Sequence, residues 1–336
     1  MQKIVIDKDI PFMQDRFADK VDVVAIPGID FNPENVKDAD ALIIRTRTKC
    51  DSTLLKDSKV KLITTATIGT DHIDLPWCER EGITVKNAAG CNAPGVAQYV
   101  FSSLFKTGFE PRNHTLGIVG YGNVGQVVAD WANQMGIKTL ISDPLREEAG
   151  YNEVEYVSTD YLLRNSDAVT LHVPLTKSGK YPTYKMIGDR ELQLIRPGSI
   201  LVNSSRGGVV DEDSLKKYLK ANRLRAVIDV WEKEPWIDRE LASLADIATP
   251  HIAGYSEEGK KRATRMSLEN VTAILGVTTD LKGLDCQPPE DVKISRELIE
   301  NSYNPLLDHQ NLMADISSFE YLRNNYSYRH EPLFSL

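Results

Sequence analysis

At 336 residues the chain is too long for one small hydrophobic core and has room for two or three domains. It is 41% hydrophobic and 26% charged, the profile of an ordinary globular protein, and its longest apolar stretches are strand-sized, so no transmembrane span is expected. A net charge of −8 with no long basic run argues against a nucleic-acid surface, although local arginines can still shape a pocket for a small anion.

Residues 3–7, 21–26, 41–45, 62–66 and 84–87 are short apolar runs that read as strands, and residues 12–18, 33–39 and 74–81 between them are more helical in period. This predicts a small α/β unit. The chain opens directly in the first strand, without the apolar core of a secretory signal. Cys50, Cys78, Cys91 and Cys286 share no C-x-x-C spacing and read as free thiols of a reducing cytoplasm. The histidines are equally scattered, with no metal-ligand pair on a predicted helix, so no metal is expected. A helix then opens after Asn92 as N-cap, with Pro94 near its start, and buries Val96, Tyr99, Val100, Ser103 and Leu104.

The next segment, Thr115-Leu-Gly-Ile-Val-Gly120-Tyr-Gly122-Asn123-Val124-Gly125, runs an apolar strand into G-x-G-x-x-G. A helical pattern follows (Val127, Val128, Trp131, Ala132, Met135), then a strand over 138–142 that ends at Asp143. With strand before and helix after, the glycines fit a dinucleotide-binding βαβ unit. Gly120 permits the tight turn, Gly122 lets backbone approach a pyrophosphate, and Gly125 lets helix pack on strand. The helix N-terminus offers its N–H groups to phosphate. Asp143 would accept bonds from the adenosine ribose and repel a 2′-phosphate, which favours NAD over NADP.

Strand runs at 168–173, 199–203, 226–230 and 247–249 alternate with helical patterns at 159–165, 187–195 and 211–221, implying a parallel, doubly wound sheet. A long helical pattern over 257–275 follows and could return to the first domain. Beyond Leu281 the character turns polar, and periodicity leaves the tail as either a small appended domain or an interface arm.

Ligands of doubly wound sheets sit at the carboxyl ends of the strands, where three segments carry unusual polar residues. In Asn203-Ser-Ser-Arg206-Gly-Gly, an arginine flanked by glycine is placed to clamp a carboxylate; taken alone it reads as a surface loop residue. Asp229-Val-Trp-Glu-Lys-Glu234-Pro brings two carboxylates after a buried strand. In Thr249-Pro-His251-Ile-Ala-Gly254-Tyr255, the histidine alone reads as a core or loop residue. Together Arg206, Glu234 and His251 supply what oxidation of a hydroxyl beside a carboxylate needs. These are a cation for the carboxylate, a base near its working pH, and a carboxylate to orient that base. Arg45, Arg47 and Lys49, at the end of the predicted strand 41–45, read as a phosphate cradle or as a solvated basic edge.

The glycine loop with a whole domain ahead of it, Asp143, Leu171-His-Val-Pro-Leu, and the Arg206, Glu234 and His251 segments resemble the D-2-hydroxyacid dehydrogenase family. The resemblance implies a Rossmann-type NAD-binding domain (93–256) with a doubly wound parallel sheet, and a smaller flavodoxin-like α/β substrate domain (1–92 with about 257–281). It also implies a short C-terminal dimerisation domain or arm (282–336) and a cytoplasmic homodimer. Carried over, Arg206 binds and polarises the substrate, Glu234 pairs with the histidine, and His251 is the acid/base. The cofactor is NAD, held by Gly120, Gly122, Asn123, Val124, Gly125 and Asp143, with Asp229 at the nicotinamide carboxamide and Val173 and Gly254 bordering it.

Further segments are similar to one branch of that family: Thr65-Ala-Thr67-Ile68-Gly69-Thr-Asp-His72, Gly90-Cys-Asn-Ala93, Pro174-Leu-Thr-Lys-Ser-Gly-Lys-Tyr-Pro-Thr183 and Phe319-Glu-Tyr-Leu-Arg-Asn-Asn-Tyr326. The similarity covers nearly the whole chain and is weakest between 280 and 315. This branch oxidises 4-phospho-D-erythronate to (R)-3-hydroxy-2-oxo-4-phosphobutanoate, toward pyridoxal 5′-phosphate. It implies a small phosphorylated 2-hydroxy acid as the partner, with Arg45, Thr46, Arg47, Thr67 and Tyr255 at the substrate and the backbone of Thr67, Ile68 and Gly69 receiving its carboxylate. The competing readings are a dehydrogenase or reductase for another D-2-hydroxy acid, such as phosphoglycerate or hydroxypyruvate, and an NAD-sensing protein without turnover. The intact Arg206, Glu234 and His251 set weighs against the last.

Overall fold

The apolar runs near the N-terminus form one parallel sheet in the computed structural model, which describes residues 1–18, 20–289 and 292–335. Its strands are β1 (Gln2–Asp7), β2 (Val21–Ile26), β3 (Ala41–Ile44), β4 (Leu62–Thr65) and β5 (Thr84–Asn87), in the order β2-β1-β3-β4-β5. This is the flavodoxin-like order. Alternate residues serve opposite faces. Val5, Leu42, Ile44 and Ile63 pack with Val36, Leu54, Leu55 and Cys78 on one side. Ile4, Ile6, Ile43 and Leu62 pack with Leu268 and Val271 on the other. The last two belong to the helix Glu257–Leu275, which thereby closes the second face; Asn270 Nδ2 also donates to Thr64 Oγ1 at 3.3 Å. These elements form one of two compact units, Met1–Asn92 with Glu257–Gln287.

One expected helix is absent. Residues 12–18 form turns instead, with Phe12 and Asp15 in the left-handed region at φ 61° and 57°. Phe17 bridges antiparallel to Thr279, and Arg16 donates to the carbonyls of Phe12 and Lys282. Met13 thus reaches the core without a helix. A short helix that periodicity did not show, Ser52–Leu55, is capped by Asp51 accepting the Thr53 N–H.

The other unit, Ala93–Ser256 with Pro288–Leu336, holds β6 (Thr115–Val119), β7 (Lys138–Ser142), β8 (Ala168–Leu171), β9 (Ile200–Asn203), β10 (Arg225–Ile228) and β11 (Ile247–Ala248). All pair in parallel, in the order β11-β10-β9-β8-β6-β7, and an isolated parallel bridge from Ile141 to Tyr156 extends the β7 side. Counting that bridge as a vestigial strand gives the Rossmann winding, with its switch point between β6 and β8. β8 to β10 are almost wholly buried, which is why they read as continuous apolar runs.

The helix Ala93–Lys106 is buried nearly all round and packs on the helix Asn123–Gln134, with the Phe101 and Trp131 rings 6.5 Å apart. In the tail, the helices Arg296–Ser302, Pro305–Ala314 and Phe319–Asn324 pack on this unit. Ile299 and Tyr303 join the core on one side of the sheet, Leu312 and Phe319 that on the other. No helix among the described residues is long and apolar enough to cross a membrane.

Candidate active site

The switch point carries the glycine loop. Gly120 sits at φ 92°, and a Cβ there would come within 2.6 Å of the His172 carbonyl and 2.9 Å of Val173 Cγ1. A Cβ at Gly125 would lie 2.0 Å from the Gly120 carbonyl oxygen, so both glycines are demanded by the protein itself. Gly122 differs, because a Cβ there would meet nothing within 4 Å. It is the N-cap of the helix Asn123–Gln134 and gives no side-chain cap, which leaves the first-turn N–H groups of Asn123, Val124 and Gly125 without an intrahelical acceptor. Such a terminus suits a phosphate. Asp143 closes β7 beside it, accepting the Tyr121 N–H at 2.8 Å and the Arg146 N–H at 3.2 Å. Arg146 is stacked 4.2 Å from the Tyr151 ring centroid and paired with Glu153.

The open space at Gly122, the uncapped helix and the acidic residue ending β7 together fit a dinucleotide. Gly122→Ala should therefore fold with an unchanged melting temperature yet weaken NAD binding by at least about tenfold, measured by titration calorimetry. Unchanged affinity would remove the pyrophosphate from this loop.

Across the sheet, the ends of β9, β10 and β11 hold Arg206, Asp229, Glu234 and His251. The loop after β9 is shaped by Asn203, whose Oδ1 accepts from the Ser205 N–H and hydroxyl and whose Nδ2 donates to the Arg206 carbonyl. Gly207 brings this loop against the next one, since a Cβ there would lie 1.9 Å from the Trp231 carbonyl oxygen. Arg206 is half-buried and donates to the Ser205 carbonyl at 2.8 Å.

His251 Nδ1 lies 2.8 and 3.0 Å from the two oxygens of Glu234. Glu234 Oε1 also accepts the Trp231 N–H at 3.0 Å. Burial alone would push this carboxyl up, but the hydrogen bond and charge of His251, with Arg323 behind, hold it below the usual carboxylate range. An ionised Glu234 fixes a proton on Nδ1 and leaves Nε2 as the base.

Asp229 is 1% exposed and fastens the loop that carries His251. It accepts from Thr249 Oγ1 at 2.7 Å and from the N–H groups of Ile252 and Ala253 at 2.8 and 3.0 Å. Burial raises its pKa against these bonds and the His251 charge. Thr249 spends its proton on Asp229, so the buried Tyr99 hydroxyl donates to Thr249 Oγ1 at 2.7 Å. Gly254 and Tyr255 follow on the same loop, both half-buried.

In the N-terminal unit, β3 ends at Ile44, so Arg45, Thr46 and Arg47 lie on a turn closed by the Thr48 N–H on the Arg45 carbonyl at 3.2 Å. The period-two spacing that would put the two arginines on one face does not apply there. Arg45 Nε and Nη2 reach the fully buried Asp7 at 2.8 and 3.2 Å, and Nη2 reaches Asp9 at 3.3 Å. Thr46 and Arg47 are exposed, and Lys49 pairs with Asp51 at 2.7 Å. After β4, Thr67 Oγ1 bonds Thr65 Oγ1 at 2.6 Å, and the Ile68 carbonyl accepts from Asn87 Nδ2 at 2.7 Å. The N–H groups of Thr67, Ile68 and Gly69 donate to no acceptor among the described residues, a run of three donors suited to a carboxylate. No group of His, Cys, Asp and Glu among the described residues is arranged to hold a metal ion.

The model of the D-isomer specific 2-hydroxyacid dehydrogenase NAD binding domain matches residues 96–253, the stretch that includes both the glycine loop and His251. The erythronate-4-phosphate dehydrogenase of Bacteroides fragilis is 44% identical over 98% of this chain and 97% of its own. The chain belongs to the erythronate-4-phosphate dehydrogenase family. The Klebsiella pneumoniae member is 38% identical, covering 98% of this chain and 92% of its own. Among solved structures, NAD+-bound 3-phosphoglycerate dehydrogenase of Entamoeba histolytica superposes with a TM-score of 0.66 at 27% identity, over 84% of this chain and 97% of that one. The cofactor of this dehydrogenase family is NAD, and the chain is an NAD-dependent enzyme of it.

Sequence reading missed two arginines at this site. Arg323 Nη1 stands 3.4 Å from Glu234 Oε2, and the buried Arg329 donates to the carbonyls of Ile252, Ala253 and Tyr255 on the His251 loop. Both lie in the polar tail, where periodicity carries no signal, and only the family-like segment Phe319 to Tyr326 marked the region.

Proposed function

We propose that the chain oxidises 4-phospho-D-erythronate to (R)-3-hydroxy-2-oxo-4-phosphobutanoate, as a homodimer in the cytoplasm, toward pyridoxal 5′-phosphate. The observation that carries the reaction is the Glu234–His251 pair, at 2.8 Å, beside a cofactor fold of the 2-hydroxyacid class. The relatives' shared name supports the substrate. The free thiols of Cys50, Cys78, Cys91 and Cys286 suit a reducing compartment.

In this reading His251 Nε2 takes the proton of the C2 hydroxyl, and the imidazolium so formed is stabilised by Glu234 through Nδ1–H. Arg206 and the N–H groups of Thr67, Ile68 and Gly69 bind the substrate carboxylate, which fixes C2 and polarises it. Bound nicotinamide supplies the hydride acceptor. Asp229 holds the His251 loop in place and borders the carboxamide, with Val173 and Gly254 beside the cofactor. Tyr255 and Thr46 contact the substrate, and Arg45 and Arg47 receive its phosphate.

The test is NADH absorbance with 4-phospho-D-erythronate beside 3-phosphoglycerate and D-lactate, with kcat/KM for the first expected to lead by about 100-fold or more. Equal or better use of 3-phosphoglycerate would overturn the substrate while leaving the reaction class standing. Arg47→Ala is expected to raise KM for the phosphorylated substrate by about tenfold with little change in kcat. Arg45→Ala should do so too, and it should also lower the melting temperature, because Asp7 would be left buried without its cation. If neither variant affects phosphorylated substrates more than non-phosphorylated ones, the phosphate binds elsewhere.

A further inference from the structure

Glu234 is served by donors from three directions. Trp231 N–H reaches Oε1, His251 Nδ1 reaches both oxygens, and Arg323 Nη1 stands 3.4 Å from Oε2. The arginine comes from the helix Phe319–Asn324, nearly ninety residues further along the chain. Its approach is fixed by packing, since Phe319 is 1% exposed in the core beneath the sheet and Leu322 packs against the same cluster. Burial disfavours the guanidinium charge, but Tyr255 and Glu234 outweigh this and raise its pKa. Arg323 therefore stands directly behind the carboxylate that orients His251. Its side chain is 29% exposed, so this is not a solvated surface pair.

We propose that Arg323 is a positioning residue of the active site: its guanidinium holds the Glu234 carboxylate in place behind the imidazole, and so sets the orientation and charge balance of His251. The inference rests on the reading of His251 as acid/base. The charged and titratable groups on the elements that carry the imidazole and its carboxylate are Glu234, Asp229, Arg323 and Tyr255, with Arg206 on the neighbouring loop after β9. Arg323 is the cation placed against Glu234 itself, and it opposes the charge of the two carboxylates. Without it, the two carboxylates act on His251 with less opposition and favour the imidazolium, which cannot accept the hydroxyl proton. The base then becomes competent only at higher pH. Glu234 would also lose one of its fixed donors, and the imidazole with it some of its aim.

The experiment compares Arg323→Ala, Arg323→Gln and Arg323→Lys with the unaltered enzyme, using 4-phospho-D-erythronate and NAD. Arg323→Ala and Arg323→Gln should bind NAD normally, lose about 10- to 100-fold in kcat, and shift the acidic limb of the kcat/KM profile to higher pH. Arg323→Lys should return the limb most of the way, because it restores the charge, and recover part of kcat. If the alanine variant does not fold, the Lys and Gln pair gives the same comparison at nearly constant size. Unaltered kcat and pH limb in Ala or Gln would overturn the proposal. So would a lysine variant whose limb is displaced as far as that of glutamine, because loss of packing alone would do that. His251→Asn, run alongside, separates the two readings. If it turns over normally the acid/base assignment fails, and if it is inactive while Arg323→Gln is normal only this inference fails.

Discussion

Replacing His251 by asparagine should lower kcat by about 10²- to 10⁴-fold while leaving NAD affinity within about twofold. Asparagine is the better probe than alanine because of the backbone. His251 sits at φ 59°, in the left-handed region, where asparagine and histidine are tolerated and alanine costs about 1 kcal/mol or more. That conformation is over-determined by its neighbours: Asp229 takes the N–H groups of Ile252 and Ala253, and Trp231 Nε1 holds the Thr249 carbonyl at 3.1 Å. The ring is thus aimed by a strained backbone that the loop cannot relax, and Glu234 fixes which nitrogen carries the proton. Glu234→Gln should cost less in kcat than His251→Asn, since an amide can still accept from Nδ1–H but cannot stabilise the imidazolium. Turnover by His251→Asn within a few fold of the parent would sink the acid/base assignment, and NAD titration of the same variant shows whether the loop survived.

The strands were legible because parallel sheets covered on both faces show as uninterrupted apolar runs, as in Ala41–Ile44 and Ile200–Asn203. The glycine loop was legible because Gly120 and Gly125 answer steric demands that no other residue meets. The segment over 12–18 misled, since its apolar residues are spaced for a helix but the chain takes left-handed turns at Phe12 and Asp15. Arg45 and Arg47 were visible as a basic cluster, but not the fully buried Asp7 that ties down the first of them. Arg323 and Arg329 were least legible. Apart from Tyr326, their hydrogen-bond partners lie tens to hundreds of residues away, from Glu234 to Gly95, and depend on how a polar tail folds back. Local pattern cannot supply that.

Arg329→Ala is expected to be the most destabilising single change in the C-terminal tail. The residue is 9% exposed, and its guanidinium lies 4.3 Å from the Tyr303 ring centroid. Nε donates to Gln98 Oε1 at 2.9 Å. Nη1 reaches the Ile252 carbonyl at 3.0 Å, the Tyr255 carbonyl at 3.2 Å and the Tyr326 hydroxyl at 3.3 Å. Nη2 reaches the carbonyls of Gly95, at 3.0 Å, and Ala253. Burial works against its charge, but Tyr303, Tyr326 and Asp308 outweigh this and raise its pKa. Asp308 is itself bonded by the Tyr303 and Tyr326 hydroxyls at 2.6 and 3.2 Å. Truncation removes the one group that serves all these acceptors; the Ile252 carbonyl keeps the Tyr255 N–H, but the buried Ala253 carbonyl and Gln98 Oε1 lose the arginine, at a cost of about 3–5 kcal/mol. For a unit of this size that lowers the melting temperature by about 10 °C. Lysine should restore little of it, since a single ammonium with three donors cannot match a planar fork reaching acceptors on both sides. Three of the carbonyls it serves belong to residues that follow His251. Any folded fraction of Arg329→Ala should therefore also lose kcat more than NAD affinity. A thermal scan beside steady-state kinetics reads both, and a variant that melted normally would mean that water satisfies these carbonyls as well as the arginine does.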